Sequence, residues 1–200
     1  MTVHPIEAES FAILAGRVDL GHLPAGPRAV VARVVHATAD LDFAGSMVLG
    51  ESDVAAGVEA LRRGAPVVCD VEMVRAGLTG LRARTWLAGA VAGPGGFPTR
   101  SAMAVRAAAA EHPEGALVVV GCAPTALEEV LTLVEGGTFR PALVVGMPVG
   151  FVGAAESKAH LRELAARTGL AAVSNIGEKG GSAAACGVVN ALARLARDGA

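Results

Sequence analysis

Short, unbroken apolar runs rich in valine recur along this chain between longer stretches with helical spacing, and they limit its fold more than any other feature. Three are clear: Ala-Pro-Val-Val-Cys-Asp at 65–70, Ala-Leu-Val-Val-Val-Gly at 116–121 and Ala-Leu-Val-Val-Gly at 142–146. Two weaker runs span Ala83–Ala88 and Ala171–Asn175. A strand with one wet face alternates polar and apolar residues, whereas an unbroken run suits a strand covered on both faces. Between the runs, Arg100–Glu111, Pro124–Glu135, Ala154–Thr168 and Ser182–Arg197 carry helix formers with apolar residues at helical spacing. Pro124 suits a first helical turn and Ser182 a cap. Strand and helix in alternation predict a doubly wound α/β domain of three layers, with a mainly parallel five-stranded sheet. Ahead of the first strand, Ile6–Val18, Ala29–His36 and Ser52–Arg63 read as an N-terminal helical extension that covers the sheet or reaches a partner.

Length and composition narrow the function. With 200 residues, 52% hydrophobic and 18% charged, and a mean hydropathy of +0.51, the chain can bury a large core, and a single domain over 1–200 is expected. No apolar run reaches the roughly 18 residues that span a bilayer, and no basic region precedes an apolar core at the N-terminus, so no membrane partner and a cytoplasmic location are expected. Cys69, Cys122 and Cys186 are odd in number and far apart, which fits reduced thiols better than bridges. No metal-ligand spacing appears. A net charge of -2 and scattered arginines leave no basic face for nucleic acid, and the aromatic share of 3%, with no tyrosine, leaves no stacking platform.

The chemistry should lie in the loops that follow the strands. The chain has two lysines against fifteen arginines, and both, Lys158 and Lys179, fall in or after glycine-bearing loops. Asp70 and Glu72 place two carboxylates after the first run. Three further loops, 93–101, 146–158 and 177–182, each combine glycines, a cation and a following helix start. Helix N-termini offer free N–H groups and about half a positive charge, so several together point to a ligand with several negative groups. None has the glycine order of a P-loop or a dinucleotide fingerprint. Of five histidines, His36 stands apart, closing the apolar stretch 30–35 ahead of Thr38, Asp40 and Asp42. No G-x-S-x-G elbow supports a nucleophilic triad.

Arg33-Val34-Val35-His36-Ala37-Thr38-Ala39-Asp40 resembles the histidine motif of the precorrin-8X methylmutase family. Further blocks are similar in the family's order: Asp70–Val74 with Gly77, Thr99-Arg100-Ser101, Ala123–Leu127, the long segment Pro148–Lys158, and Lys179–Ser182. The resemblance implies a flavodoxin-like fold, a homodimer with active sites near the subunit interface, and no organic cofactor. It implies an isomerase of corrin biosynthesis that moves a methyl group between adjacent carbons of ring C of a polycarboxylate tetrapyrrole, metal-free or carrying cobalt. It makes His36 the catalytic acid and base. Arg33 and Arg100 are then candidate carboxylate clamps, with Ser10, Thr38, Ser101, Lys158 and Lys179 as polar support. Three positions depart from the pattern: Cys122 where Asn is usual, Glu178 where Arg commonly precedes Lys-Gly-Gly-Ser, and Ala39 where Gly is frequent. An anion at 178 should lessen the pull of Lys179 on a carboxylate. A non-catalytic tetrapyrrole carrier is the alternative from another class, and a flavodoxin-like nucleotide binder is a third.

Overall fold

The computed structural model describes residues 4–198. In chain order the elements are α1 (Pro5–Arg17), α2 (Ala25–Thr38), α3 (Phe43–Ser46), β1 (Met47–Val48), α4 (Glu51–Arg62), β2 (Val67–Cys69), α5 (Glu72–Gly77), β3 (Ala83–Arg84), α6 (Arg100–Glu111), β4 (Leu117–Val120), α7 (Pro124–Glu135), β5 (Leu143–Gly146), α8 (Ala154–Thr168), β6 (Ala172–Asn175) and α9 (Ser182–Asp198). The strands form one sheet in the order β1-β6-β5-β4-β2-β3. From β2 onward all pairings are parallel, and the five strands run in the flavodoxin-like order 2-1-3-4-5 when numbered among themselves.

The sheet has six strands where the sequence predicts five. The additional β1 has two residues and pairs antiparallel with β6 at the edge, Met47 opposite Asn175 and Val48 opposite Ser174. Two residues show no periodicity, so nothing in the local sequence marks them as a strand. The run at 83–88 contributes only Ala83 and Arg84 before a single 3₁₀ turn at Leu87–Gly89.

Both faces of the sheet are covered, as the unbroken runs require. Val67, Cys69, Leu117, Val119, Leu143 and Val145 point to one face, packed with residues of α2, α4 and α9. Val68, Val118, Val120 and Val144 point to the other, against α6, α7 and α8. The N-terminal helices cover the sheet, one of the two roles the sequence allows them, with α2 and α4 forming part of a core layer. In α2, Val30, Val31, Val34 and Val35 are all buried. Each is worth about 1.5–3 kcal/mol on burial, so rotating the helix by one residue would be costly. Helix α9 lies so close to α2 that a Cβ on Gly187 would stand 3.1 Å from the Cα of Val34. This stripe and this contact determine where Arg33 and His36, the non-core neighbours of the valines, come to lie.

The carboxyl ends of β2 and β4 flank the point where the strand order reverses, the usual ligand crevice of such a sheet. Here Asp70 fills it. Only 2% exposed, its carboxylate accepts from the backbone N–H groups of Gly121 (3.1 Å), Cys122 (2.8 Å) and Ala123 (3.0 Å) at the start of α7. Burial pushes this carboxyl up from its ordinary range, and the three donors pull the other way. Its companion Glu72 turns outward to Arg75 at 2.5 Å. The acidic pair expected to carry chemistry is thus a structural plug and a surface ion pair. Asp70→Ala should lower the unfolding free energy by about 3 kcal/mol, because it leaves several enclosed N–H groups without an acceptor. Chemical denaturation would measure this, and an unchanged midpoint would show that water replaces the carboxylate at no cost.

Candidate active site

Helices α1, α2 and α9 meet with α5 around an open cleft of about 690 Å³. His36 lies on its wall, in the last turn of α2, with Arg33 one turn earlier. The inward face of α1 carries Glu7, Ser10 and Phe11, spaced i, i+3, i+4, which all reach Arg33 or His36, while Leu14 one turn on is buried in the core. Ser10 Oγ lies 3.0 Å from His36 Nδ1. The Phe11 ring stacks on the imidazole with centroids 4.7 Å apart and an interplanar angle of 11°. Its ring also lies 5.0 Å from the Arg33 guanidinium carbon. Arg33 donates to Glu7 at 2.6 Å, and this guanidinium holds the Glu7 carboxyl below its usual range. From α9, Asn190, Arg194 and Arg197 complete the wall, and Cys186, Met73 and Gly77 supply apolar surface.

Ser10, Arg33 and His36 are thus brought together as the sequence suggests. Thr38 is close in sequence but otherwise engaged, its hydroxyl donating to the Val34 carbonyl at 2.8 Å and accepting from the Asp40 N–H at 3.3 Å, which closes the end of α2. The next residue, Ala39, has φ 54°, and among the described residues it is the one non-glycine in the left-handed region. The glycine frequent there in the family has no Cβ to strain.

Arg100 and Ser101 begin α6, on the other layer, and do not line the cleft. The Arg100 guanidinium donates to the Leu87 carbonyl at 2.9 Å. Lys179 is likewise taken up by the chain itself, pairing with Asp40 at 2.8 Å and Asp42 at 2.5 Å, which fastens the loop after β6 to the loop that follows His36. Glu178 makes no ion pair with it among the described residues, and the Glu178 carbonyl accepts from Gly150 N–H at 3.2 Å. Cys122 is exposed, with its backbone N–H on Asp70. Glu7, Phe11, Asn190 and Arg194 have no counterpart in the sequence reading. The i, i+3, i+4 spacing of Glu7, Ser10 and Phe11 was the one available signal.

Comparison with known proteins shows the family to which the chain belongs. Residues 5–195 match the family model described as precorrin-8X methylmutase. The cobalt-precorrin-8 methylmutase of Synechocystis sp. is 38% identical, with 96% of each chain covered. The precorrin-8X methylmutase of Pseudomonas aeruginosa is 40% identical, covering 94% of this chain and 93% of its own. Among solved structures, the precorrin-8X methylmutase of Thermus thermophilus superposes with a TM-score of 0.82 at 35% identity, over 98% of this chain and 99% of that one.

Lys158 corrects the sequence reading most sharply. It is fully buried, so a ligand arriving from solvent cannot touch it. Its ammonium donates to Asn175 Oδ1 at 3.1 Å and to the Lys179 carbonyl at 2.5 Å, pinning the loop after β6 from within. Burial pushes the group down from 10.5 to about 8, with the nearby Arg162 adding to the shift. An unfolded lysine keeps its proton to about pH 10.4. Between pH 8 and pH 10 the unfolded chain therefore binds more protons at this position, and the stability contributed through Lys158 rises with pH in that window. The unfolding free energy of the wild type relative to Lys158→Met should climb by roughly 2 kcal/mol from pH 8 to pH 10. A difference that stays flat in denaturant titrations across this range would contradict the displaced proton.

Proposed function

The chain belongs to the precorrin-8X methylmutase family, an isomerase family of cobalamin biosynthesis, and we propose that His36 is its catalytic acid and base. The chain is a methylmutase acting on a tetrapyrrole. It gives hydrogenobyrinic acid from precorrin-8X, or cobyrinic acid from the cobalt-bearing counterpart. Relatives of both names match at comparable identity, and cobalt, where present, travels in the substrate. We read residues 1–200 as a single methylmutase domain.

One observation carries the proposal. His36 stands on the cleft wall with Nδ1 engaged by Ser10, and among the described residues Nε2 has no hydrogen-bond partner. That nitrogen is free for the macrocycle. In the reaction the bond from a methyl carbon to one ring carbon breaks and a bond to the adjacent carbon forms, with no atom gained or lost. A proton lent by His36 to the conjugated ring makes the migration easier, and its return closes the cycle. Arg33 is the nearest clamp for an acetate or propionate group, through charge-assisted hydrogen bonds. Ser10 orients the imidazole. Thr38, Ser101, Arg100, Lys158 and Lys179 shape the surrounding loops. No feature of the cleft favours the carrier alternative or a nucleotide.

We assign a homodimer and a cytoplasmic location to the same reading. Phe151 and Val152 are 89% and 88% exposed, on the loop after β5. Phe97 and Val91 after β3, and Met73 after β2, are also largely bare. All these residues follow the carboxyl ends of parallel strands, and an apolar rim of this kind marks an interaction surface. A second copy seated there would lie beside Arg100 and Ser101. The three unpaired cysteines suit a reducing compartment.

Two measurements test the reading. With precorrin-8X, the wild type should convert the absorbance spectrum at catalytic protein, and His36→Ala should turn over about 100- to 10,000-fold more slowly while still binding product. Wild-type rates in that variant would remove His36 from the mechanism, and a bound but unchanged chromophore in the wild type would favour the carrier. In light scattering the protein should have twice the 19.9 kDa of the chain, and Phe151→Ser with Val152→Ser should shift it toward monomer. A wild-type monomer would overturn the dimer.

A further inference from the structure

Helix α1 is weakly attached for an element that carries so much of the site. Nine of its 13 residues are exposed and only Leu14 is buried. Beyond Leu14, its inward contacts are the stack of Phe11, the bond from Ser10, and one carboxylate, that of Glu7. Glu7 Oε1 lies 2.6 Å from Arg33 and 3.6 Å from Arg194, between two arginines that come from different helices and both line the cleft. These side chains are neither buried nor free, at 21% exposure for Arg33, 27% for Glu7 and 40% for Arg194. Arg194 also faces Asp198 at 3.5 Å. Paired arginines at one point of a cleft form a seat for a carboxylate. In this structure the protein's own carboxylate occupies it.

We propose that Glu7 is an internal stand-in for a substrate carboxylate, holding the seat between Arg33 and Arg194 until an acetate or propionate group of the incoming tetrapyrrole displaces it. The proposal rests on the methylmutase reading and adds Arg194 to the residues that receive substrate. Exchange of one carboxylate for another leaves the charge of the seat unchanged, so neither arginine is left unpaired inside the cleft at any stage. The Ser10 bond and the Phe11 stack do not pass through Glu7, and His36 therefore keeps its support while the exchange occurs. The device also discriminates. A ligand without a carboxylate at that edge of the ring cannot replace the Glu7 pair and leaves it in place, so the seat selects acids over esters or amides. A fixed counter-ion, by contrast, would hold Arg33 in position for the ligand, and its loss would weaken binding.

The two roles predict opposite signs. Titrating hydrogenobyrinic acid into the protein by absorbance, Glu7→Gln should bind about fivefold more tightly than the wild type, since the internal competitor is gone and a partly exposed pair is worth up to about 1 kcal/mol. Arg194→Gln should bind more loosely, and the gain from Glu7→Gln should shrink in the double variant. The fully esterified corrin should show no gain. Equal or weaker binding by Glu7→Gln overturns the proposal and makes Glu7 a fixed structural partner of Arg33. A fivefold gain that persists with the ester also overturns it, since no carboxylate would then be exchanging. A wild type that binds neither corrin defeats the methylmutase reading itself, a result distinct from the failure of Glu7 alone.

Discussion

Three N–H groups at the start of α7 converge on one buried carboxylate, that of Asp70, and the arrangement of the rest of the molecule follows from that contact. In a parallel sheet of this order, the crevice between β2 and β4 with a helix N-terminus beside it is where a phosphate or cofactor would bind. The protein supplies the anion itself. The carboxylate satisfies the helix end, and the loops after β2 and β4 are locked to each other. Just beside this junction, a Cβ on Gly121 would meet Val74 of α5 at 2.7 Å and the Cα of Ser182 at 3.0 Å. The start of α9 and the body of α5 are therefore placed by the same closure. With the default site occupied, the open space lies one layer away, between α5, α9 and α2.

That layer is built from contacts too close for ordinary side chains. Gly187 lets α9 lie on the backbone of α2, and Gly57 lets α4 approach Leu143 and Leu192, where a Cβ would stand 2.8 Å from each. Asn190 then ties α9 to the end of α5, donating to the Gly77 carbonyl and accepting from the Thr79 N–H, both at 2.9 Å. The cleft walls are in this way the outer flanks of helices whose inner faces are fully committed to the core. A rigid frame of this sort can hold cationic side chains apart from one another. Arg33, Arg194 and Arg197 reach the cleft from two helices, with Glu7 and Asp198 interposed.

Much of the fold was legible because burial on both faces leaves a mark in sequence. Valine runs at β2, β4 and β5 announce themselves without any tertiary information, and the helices between them follow from apolar spacing. Elements that depend on a distant partner leave no such mark. β1 exists because β6 offers it an edge, and two residues carry no period of their own. The two lysines teach the same lesson about the site. Their rarity and their loops mark them as ligand contacts, yet their partners lie far away in the chain: Asp40 and Asp42 for Lys179, and the carbonyl of Lys179 for Lys158. A cation near a glycine loop reads the same in sequence whether it awaits a ligand or holds the loop together. Glu7 and Arg194 were missed for a related reason, since neither belongs to a motif and only the packing of α1 and α9 on α2 brings them face to face.

The partner chosen for His36 bears on what that residue can do. His160, on α8, lies 2.9 Å from Glu128 and 3.6 Å from Glu135, and these carboxylates raise its affinity for a proton. Such a pair stabilises the charged ring and ties it to one state. His36 faces a neutral hydroxyl instead. With Nε2 exchanging the proton, Nδ1 keeps its own hydrogen in both states, and the Ser10 hydroxyl accepts from it throughout. The Ser10 contact is therefore kept through both halves of a cycle in which the ring gives a proton and takes it back. Phe11, stacked on the imidazole, holds the ring plane during the exchange without contributing a charge. A carboxylate at the position of Ser10 would favour one half of that cycle over the other. An acid and base that must return to its starting state after every methyl shift is better served by a partner indifferent to which state it is in.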